Sequence, residues 1–243
     1  MFNPIRMFGY GYADLQKDIR AYYKFRFMDF GGSYFLDSVH ISSPWNLSKA
    51  GNVYLATGII DDALDLTGAS SGYTTYDEYW NASNDNTHAR SVSMWVYPTA
   101  TSTEPFFYSG TDGEWTVYVE NVDSSTATIR VDMLISSSIE SVSSTSGDIT
   151  LNAWNHVVVS MDLPNSTCKI YVNGVFANSG SDTFTGTSLD DTQNFLIVGG
   201  SYIEQDGVFA NGRMDEVGCW STTLDLLQAE TLYNGGAGLQ FPF

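Results

Sequence analysis

From Asp18 onward the chain sets apolar against polar positions in short runs divided by turn residues. Candidate strands are AYYKFRF (21–27), SVSMWVY (91–97), WTVYVE (115–120), TIRVDMLI (128–135), HVVVSM (156–161), CKIYVNGVF (168–176), NFLIVGG (194–200) and DEVGCW (215–220). Side chains leave a strand on opposite faces with period two, so these runs suit half-buried antiparallel strands. In TIRVDMLI, Ile129, Val131, Met133 and Ile135 fall on one face, with Arg130 and Asp132 on the other. Asn173-Gly174 sits between Tyr171-Val172 and Val175-Phe176. It supplies the two positive φ angles of a type I′ turn, which predicts a hairpin over 168–179. Asp112-Gly113 before WTVYV is a second turn signal. Many short strands at this spacing predict an all-β, two-sheet antiparallel jelly-roll sandwich.

One helix interrupts the pattern, in TTLDLLQAETLYNGGAG near the end. Asp225 suits the N-cap, with Gln228 where a capping box places it. Leu226, Leu227, Leu232 and Tyr233 supply its apolar face, and Gly235-Gly236 stops it. The Ser-rich piece 136–147 reads as a mobile strand-loop-strand rim. Residues 1–17 show no clean periodicity and read as an arm that docks on another protein or subunit, ahead of a sandwich over 18–243. Arg6, Phe8, Tyr10 and Tyr12 are its candidate contacts.

Ten basic against 28 acidic residues give a net charge of −18. Such a surface is repelled by a duplex and by anionic lipid, which argues against nucleic acid and membrane as partners. Half of the cations, Arg6, Lys17, Arg20, Lys24 and Arg26, lie in the first 26 residues, so the body is more acidic still. Cys168 and Cys219 both fall in apolar strand-like runs and read as buried free thiols. The N-terminus lacks the apolar h-region and small-residue cleavage site of a signal peptide, and no stretch reaches transmembrane length.

The words AYYKF, FLDSV, ALDLTGASSGY, SVSMWVYP, WNHVVVSMD, KIYVNGV, NGRMDEVGCW and LDLLQAETLYNGG occur in one order over about residues 19 to 236. Together they resemble the laminin-G-like domains of the concanavalin A-like jelly rolls. The ending TLYNGGAGLQFPF also resembles the ends of such domains in tailed-phage structural proteins. That second likeness implies a non-enzymatic virion protein, a decoration, head-fibre or tail-associated component joined to other virion proteins through its arm and able to bind glycan or a host surface. Release by lysis needs no signal peptide. The alternative is a stand-alone carbohydrate-binding module.

The resemblance makes His156 a packing and hydrogen-bonding residue of a central strand. It also implies a rim calcium, for which Asp37 and Asp215 are the candidates; oxygen ligands and irregular geometry suit that ion. Asp215, on the face of Val217 and Cys219, is also read as capping a turn or pairing with Arg213 or Arg26. The fold hosts glycan hydrolases and lyases, but a retaining hydrolase needs two carboxylates about 5–5.5 Å apart. Glu204 and Asp206 are the nearest approach and lack the third acid of the resembled pattern. The chain is therefore expected to be non-catalytic. Tyr73, Tyr76, Tyr79 and Trp80, among acids and asparagines in 72–86, are candidate glycan or protein contacts, since flat apolar faces beside hydrogen-bonding groups serve both. The competing reading has these aromatics plugging the sandwich or shielding an edge.

Overall fold

In a computed structural model describing residues 14–26, 34–39, 46–49, 54–66, 73–76, 88–100, 105–109, 115–121, 126–190, 195–200 and 210–243, the period-two segments become strands. The first half of the chain supplies β1 (Ile19–Tyr23), β2 (Tyr34–Phe35), β3 (Leu47–Lys49), β4 (Tyr54–Thr57), β5 (Asp62–Asp65), β6 (Tyr73–Tyr76), β7 (Arg90–Pro98), β8 (Phe107–Ser109) and β9 (Trp115–Asn121). The second half supplies β10 (Thr126–Ile135), β11 (Ser138–Ser143), β12 (Ile149–Thr150), β13 (Asn155–Asp162), β14 (Thr167–Val172), β15 (Val175–Phe176), β16 (Phe195–Val198) and β17 (Gly212–Trp220). Helix α1 (Leu226–Tyr233) follows.

The strands form two antiparallel sheets. Sheet A runs β15-β14-β13-β7-β17-β5-β4, with β1 also on β17; sheet B runs β11-β10-β9-β8-β16-β6-β3-β2, with β12 on β10. Their facing sides close one core. From sheet A come Val92, Met94 and Val96, Val157, Val159 and Met161, and Met214, Val217 and Cys219; from sheet B come Val117 and Val119 with Ile129, Val131, Met133 and Ile135. The predicted inward face of TIRVDMLI is thus the buried one. Cys168 and Cys219 are buried free thiols. Two strands, β13 and β7, lie between β14 and β17, about 14 Å of sheet at the usual strand spacing, which forbids a bridge.

Sheet A is covered on its outer side too. A second apolar cluster of Leu15, Tyr22, Val158, Tyr171, Trp220, Leu224, Ala229 and Leu232 packs there, joined by Leu239, Phe241 and Phe243 of the C-terminal tail. Trp220 stacks on Phe243 and donates its indole N–H to the Leu15 carbonyl at 2.8 Å. The Leu224 amide donates to the hydroxyls of Ser91 and Ser160, which fixes the entry to α1 on the sheet. Residues 14–16, assigned above to the arm, form one helical turn against the sandwich; residues 1–13, with Arg6, Phe8, Tyr10 and Tyr12, lie outside the described residues.

Three local details differ from the expectations. Helix α1 has its capping box between Asp225 and Gln228, but the left-handed residue ending it is Asn234, one before the glycines. Its buried residues are Ala229 and Leu232, whereas Leu226 and Leu227 are 43 % and 53 % exposed, because an eight-residue helix presents one narrow face to the sheet. The Ser-rich rim is a paired strand, β11, turned on Ser136 and Ser137 at φ 51° and 61°. The Asp190 carboxylate accepts both serine amides and holds that turn. The Asn173-Gly174 hairpin forms as predicted, with φ 51° and 75°.

Candidate functional site

The outer side of sheet B contrasts with the lid on sheet A. In β9 and β10, Val117, Val119, Ile129 and Val131 point into the core, so the residues between them face outward. The register sets Thr116 opposite Asp132 and Tyr118 opposite Arg130, and β11 adds Ser141 opposite Asp132. These side chains meet. The Arg130 guanidinium lies over the Tyr118 ring, 4.6 Å from its centroid. Its Nη1 donates to Glu120 Oε1, and its Nε lies 3.0 Å from Asp132 Oδ1. Ser141 donates to the same Asp132 oxygen at 2.6 Å.

The cluster is half open. The Arg130 and Glu120 side chains are about a third exposed and that of Asp132 12 %. Among the described residues, Glu120 Oε2 and Asp132 Oδ2 accept no hydrogen bond. Thr116 is 2 % exposed and its hydroxyl has no partner. Stacking and two ion pairs hold the guanidinium in place, leaving a preformed set of acceptors beside it.

The same sheet contains two of the aromatic candidates. The register runs from Thr116 to Tyr108 on β8, Ile197 on β16 and Thr74 on β6, the strand of Tyr73 and Tyr76. At the usual spacing β6 lies roughly 19 Å across the sheet from β10. Tyr79 and Trp80 lie outside the described residues, as do Glu204 and Asp206. Tyr118, Glu120, Arg130 and Asp132 were not singled out above. Their signal was the charged and aromatic outward positions of WTVYVE and TIRVDMLI; which of them touch depends on cross-strand register.

The other candidates lie behind sheet A. Between Asp215 and Gly218 the pairing with β7 shifts, and Glu216 takes φ 47°. This bulge puts two residues opposite one, so Asp215 shares the outer side with its partner Trp95, not the inner side of Val217 and Cys219. Asp215 is 0 % exposed, yet three amides satisfy it: Ile59 and Ile60 donate to Oδ2 and Glu216 to Oδ1. The 58–61 turn closes tightly over it, and a Cβ at Gly58 would stand 2.4 Å from Oδ2. Burial and the neighbouring Glu216 raise its pKa. Asp37 Oδ1 accepts from Tyr22 and Val39.

Asp37 thus holds the Tyr22 and Val39 amides, and Asp215 holds the 58–61 turn. Among the described residues, no group of three or more His, Cys, Asp or Glu side chains is placed to hold a metal ion.

His156 is buried in the wall. Its Nε2 pairs with Ser93 Oγ at 2.8 Å, its Nδ1 has no partner, and its ring packs on Trp95 and Tyr233. Burial drives its pKa down to about 3, so the imidazole stays neutral.

The comparisons with known proteins agree with this architecture. A sequence profile of the concanavalin A-like lectin/glucanases superfamily, of the laminin-G type, matches residues 67–228, about two thirds of the chain. The chain belongs to that superfamily. No curated protein matches it. Among solved structures, domain 4 of AbnA, a GH43 extracellular arabinanase from Geobacillus stearothermophilus in complex with arabinotriose, aligns with TM-score 0.61 and 23 % identity, covering 88 % of this chain and 97 % of that one. The ligand-binding domain of botulinum neurotoxin serotype D, in complex with N-acetylneuraminic acid, aligns with TM-score 0.65 and 15 % identity over 93 % of this chain. A botulinum neurotoxin type C structure, whose cell entry depends on interaction with two ganglioside molecules, aligns with TM-score 0.63 and 15 % identity over 93 % of this chain. The chain spans about half the length of those neurotoxin structures. At these identities the likeness concerns the fold, and function rests on the site.

Proposed function

We propose that the chain is a non-catalytic carbohydrate-recognition module whose binding surface is the outer face of sheet B. The observation that carries this is the Arg130 cluster. A guanidinium locked over Tyr118 by Glu120 and Asp132 leaves oriented acceptors on an otherwise inert sandwich. Sugars present many hydroxyl donors and one apolar face, and such a surface meets both needs. That several structural neighbours are described with a saccharide or ganglioside supports the reading.

The test is a glycan array probed with and without a chelator. Binding to at least one glycan, lost in Tyr118→Ala, is expected; uniform silence in both conditions overturns the proposal. A signal lost only with chelator would bring in calcium, with Asp37 and Asp215 as its candidate ligands.

A finer reading places the module on a virion, joined to other virion proteins through residues 1–17. Its support is the phage-like ending and the cation-rich start of the chain. The placement of Leu15 against Trp220 adds to it, because the arm then meets the sandwich on the side opposite the proposed glycan face. Deleting residues 1–13 is expected to abolish co-purification with particles; undiminished incorporation would remove the docking role.

A further inference from the structure

The polar cluster on the outer face of sheet B sets two carboxylates around one guanidinium. Glu120 Oε2 and Asp132 Oδ2 carry no hydrogen bond among the described residues, and a carboxylate oxygen can only accept. The Arg130 cation between them donates from Nη1 to Glu120, stands 3.0 Å from Asp132 Oδ1 at Nε as an ion pair without a hydrogen bond, and rests its flat face on Tyr118. Two carboxylates against one guanidinium leave the cluster negative, and the whole chain carries −18. Thr116, opposite Asp132 in register, adds an unpartnered and buried hydroxyl to the same row.

From this we infer that the face takes a neutral, hydroxyl-rich oligosaccharide and discriminates against glycans bearing carboxylates, such as sialylated or uronic ones. The inference rests on the glycan reading proposed above. A sugar hydroxyl donates to the free carboxylate oxygens of Glu120 and Asp132, forming charge-assisted hydrogen bonds. A ligand carboxylate brings acceptors to acceptors. It meets a guanidinium whose charge two carboxylates already outweigh, and must approach against the field of an acidic surface. Arg130 therefore orients the two acids and does not itself receive an anion. Specificity of this kind comes from a built-in repulsive element as much as from attraction.

The experiment is calorimetric titration with matched oligosaccharide pairs, a neutral core with and without a terminal sialic or uronic acid. The neutral member should bind at least about tenfold more tightly, with little dependence on salt. Glu120→Gln and Asp132→Asn should each weaken the neutral ligand by roughly ten- to a hundredfold while the urea midpoint stays put. Glu120→Gln should also narrow the gap between the pair, because it removes one of the two negative charges that repel an anion and leaves Arg130 less neutralised; a purely structural role for Glu120 would not move that ratio. Equal or tighter binding of the acidic member overturns the inference and leaves the glycan reading standing. Silence of both members at every concentration overturns the glycan reading itself. Neutral binding untouched by both substitutions moves the site elsewhere and overturns the inference as well.

Discussion

The two outer faces of the sandwich are built from the same kind of strand and end in opposite states. On sheet A the outward positions of β7, β13 and β17 include Ser93, Trp95, His156, Val158, Asp215 and Trp220, all buried. On sheet B the outward positions of β9 and β10 include Tyr118, Glu120, Arg130 and Asp132, held as a polar cluster that water reaches. The apolar members of the sheet A row, with Tyr22 and Tyr171, are unstable in water, and α1, the 14–16 turn and the C-terminal tail close over them. A charged row asks for no lid and remains available to a ligand. The contrast places stability on one side of the molecule and recognition on the other, and substitutions on each face should separate accordingly.

The largest effect is expected at Trp220. It is fully buried, stacks on Phe243, and donates to Leu15, so it ties the tail and the N-terminal turn to the sheet together. Trp220→Ala should cost about 3–5 kcal/mol in urea unfolding. A loss under about 1 kcal/mol would mean that the lid is not part of the cooperative unit, and the contrast between the faces would fail at its strongest point.

Asp215→Ala should follow, at about 2–4 kcal/mol, because three buried amides lose their acceptor at once. The matched change on the other face, Asp132→Ala, should cost about 1 kcal/mol or less, since its partners can turn to water. Equal penalties for the two aspartates in the same unfolding experiment would contradict the assignment of their roles.

These two aspartates also show how far the sequence could be read. The alternation in TIRVDMLI set Ile129, Val131, Met133 and Ile135 inward and Arg130 and Asp132 outward, because strand periodicity is a local property. Asn173-Gly174 announced its turn for the same reason, since its backbone preference is its own. Other features depend on residues far apart in the chain. Ser136-Ser137 turn because Asp190 accepts their amides. Asp215 faces outward because a bulge at Glu216 breaks a count of two that its neighbours otherwise obey. The candidate site was half legible. Its charged outward positions stood in the strands, but the union of Tyr118, Glu120, Arg130 and Asp132 needed the register of β9 against β10.

Glu216 gives the covered face a pH signature. It is 2 % exposed; its Oε1 accepts from Gln240 of the tail and its Oε2 has no partner. Burial raises its pKa from 4.5 to about 7. The folded state therefore holds this proton more tightly than the unfolded chain does. Its contribution is fully present below about pH 4.5 and is lost as pH rises toward 7, with Asp215 acting in the same direction. A shift of this size corresponds to about 3 kcal/mol. Thermal unfolding followed from pH 4.5 to 8 should show stability declining, and Glu216→Gln should flatten the curve and stabilise the alkaline end. An identical decline in the variant would assign the pH dependence to other groups.

The smallest effect on stability, and the sharpest separation of the faces, belongs to Arg130. Its ion pairs with Glu120 and Asp132 are part-exposed, and pairs of that kind contribute between nothing and about 1 kcal/mol once side-chain entropy and water are counted. Arg130→Met keeps the length and the packing on Tyr118 but removes the donor that orients the two carboxylates. Urea unfolding should move by less than about 1 kcal/mol. Glycan binding should nonetheless fall, because the freed acids repel each other and no longer converge on the same hydroxyls. Had the cluster served mainly to hold the sheet, the order of these two effects would be reversed: unfolding would shift and binding would not. A protein with an unchanged unfolding curve and no glycan signal is the result that ties Arg130 to recognition.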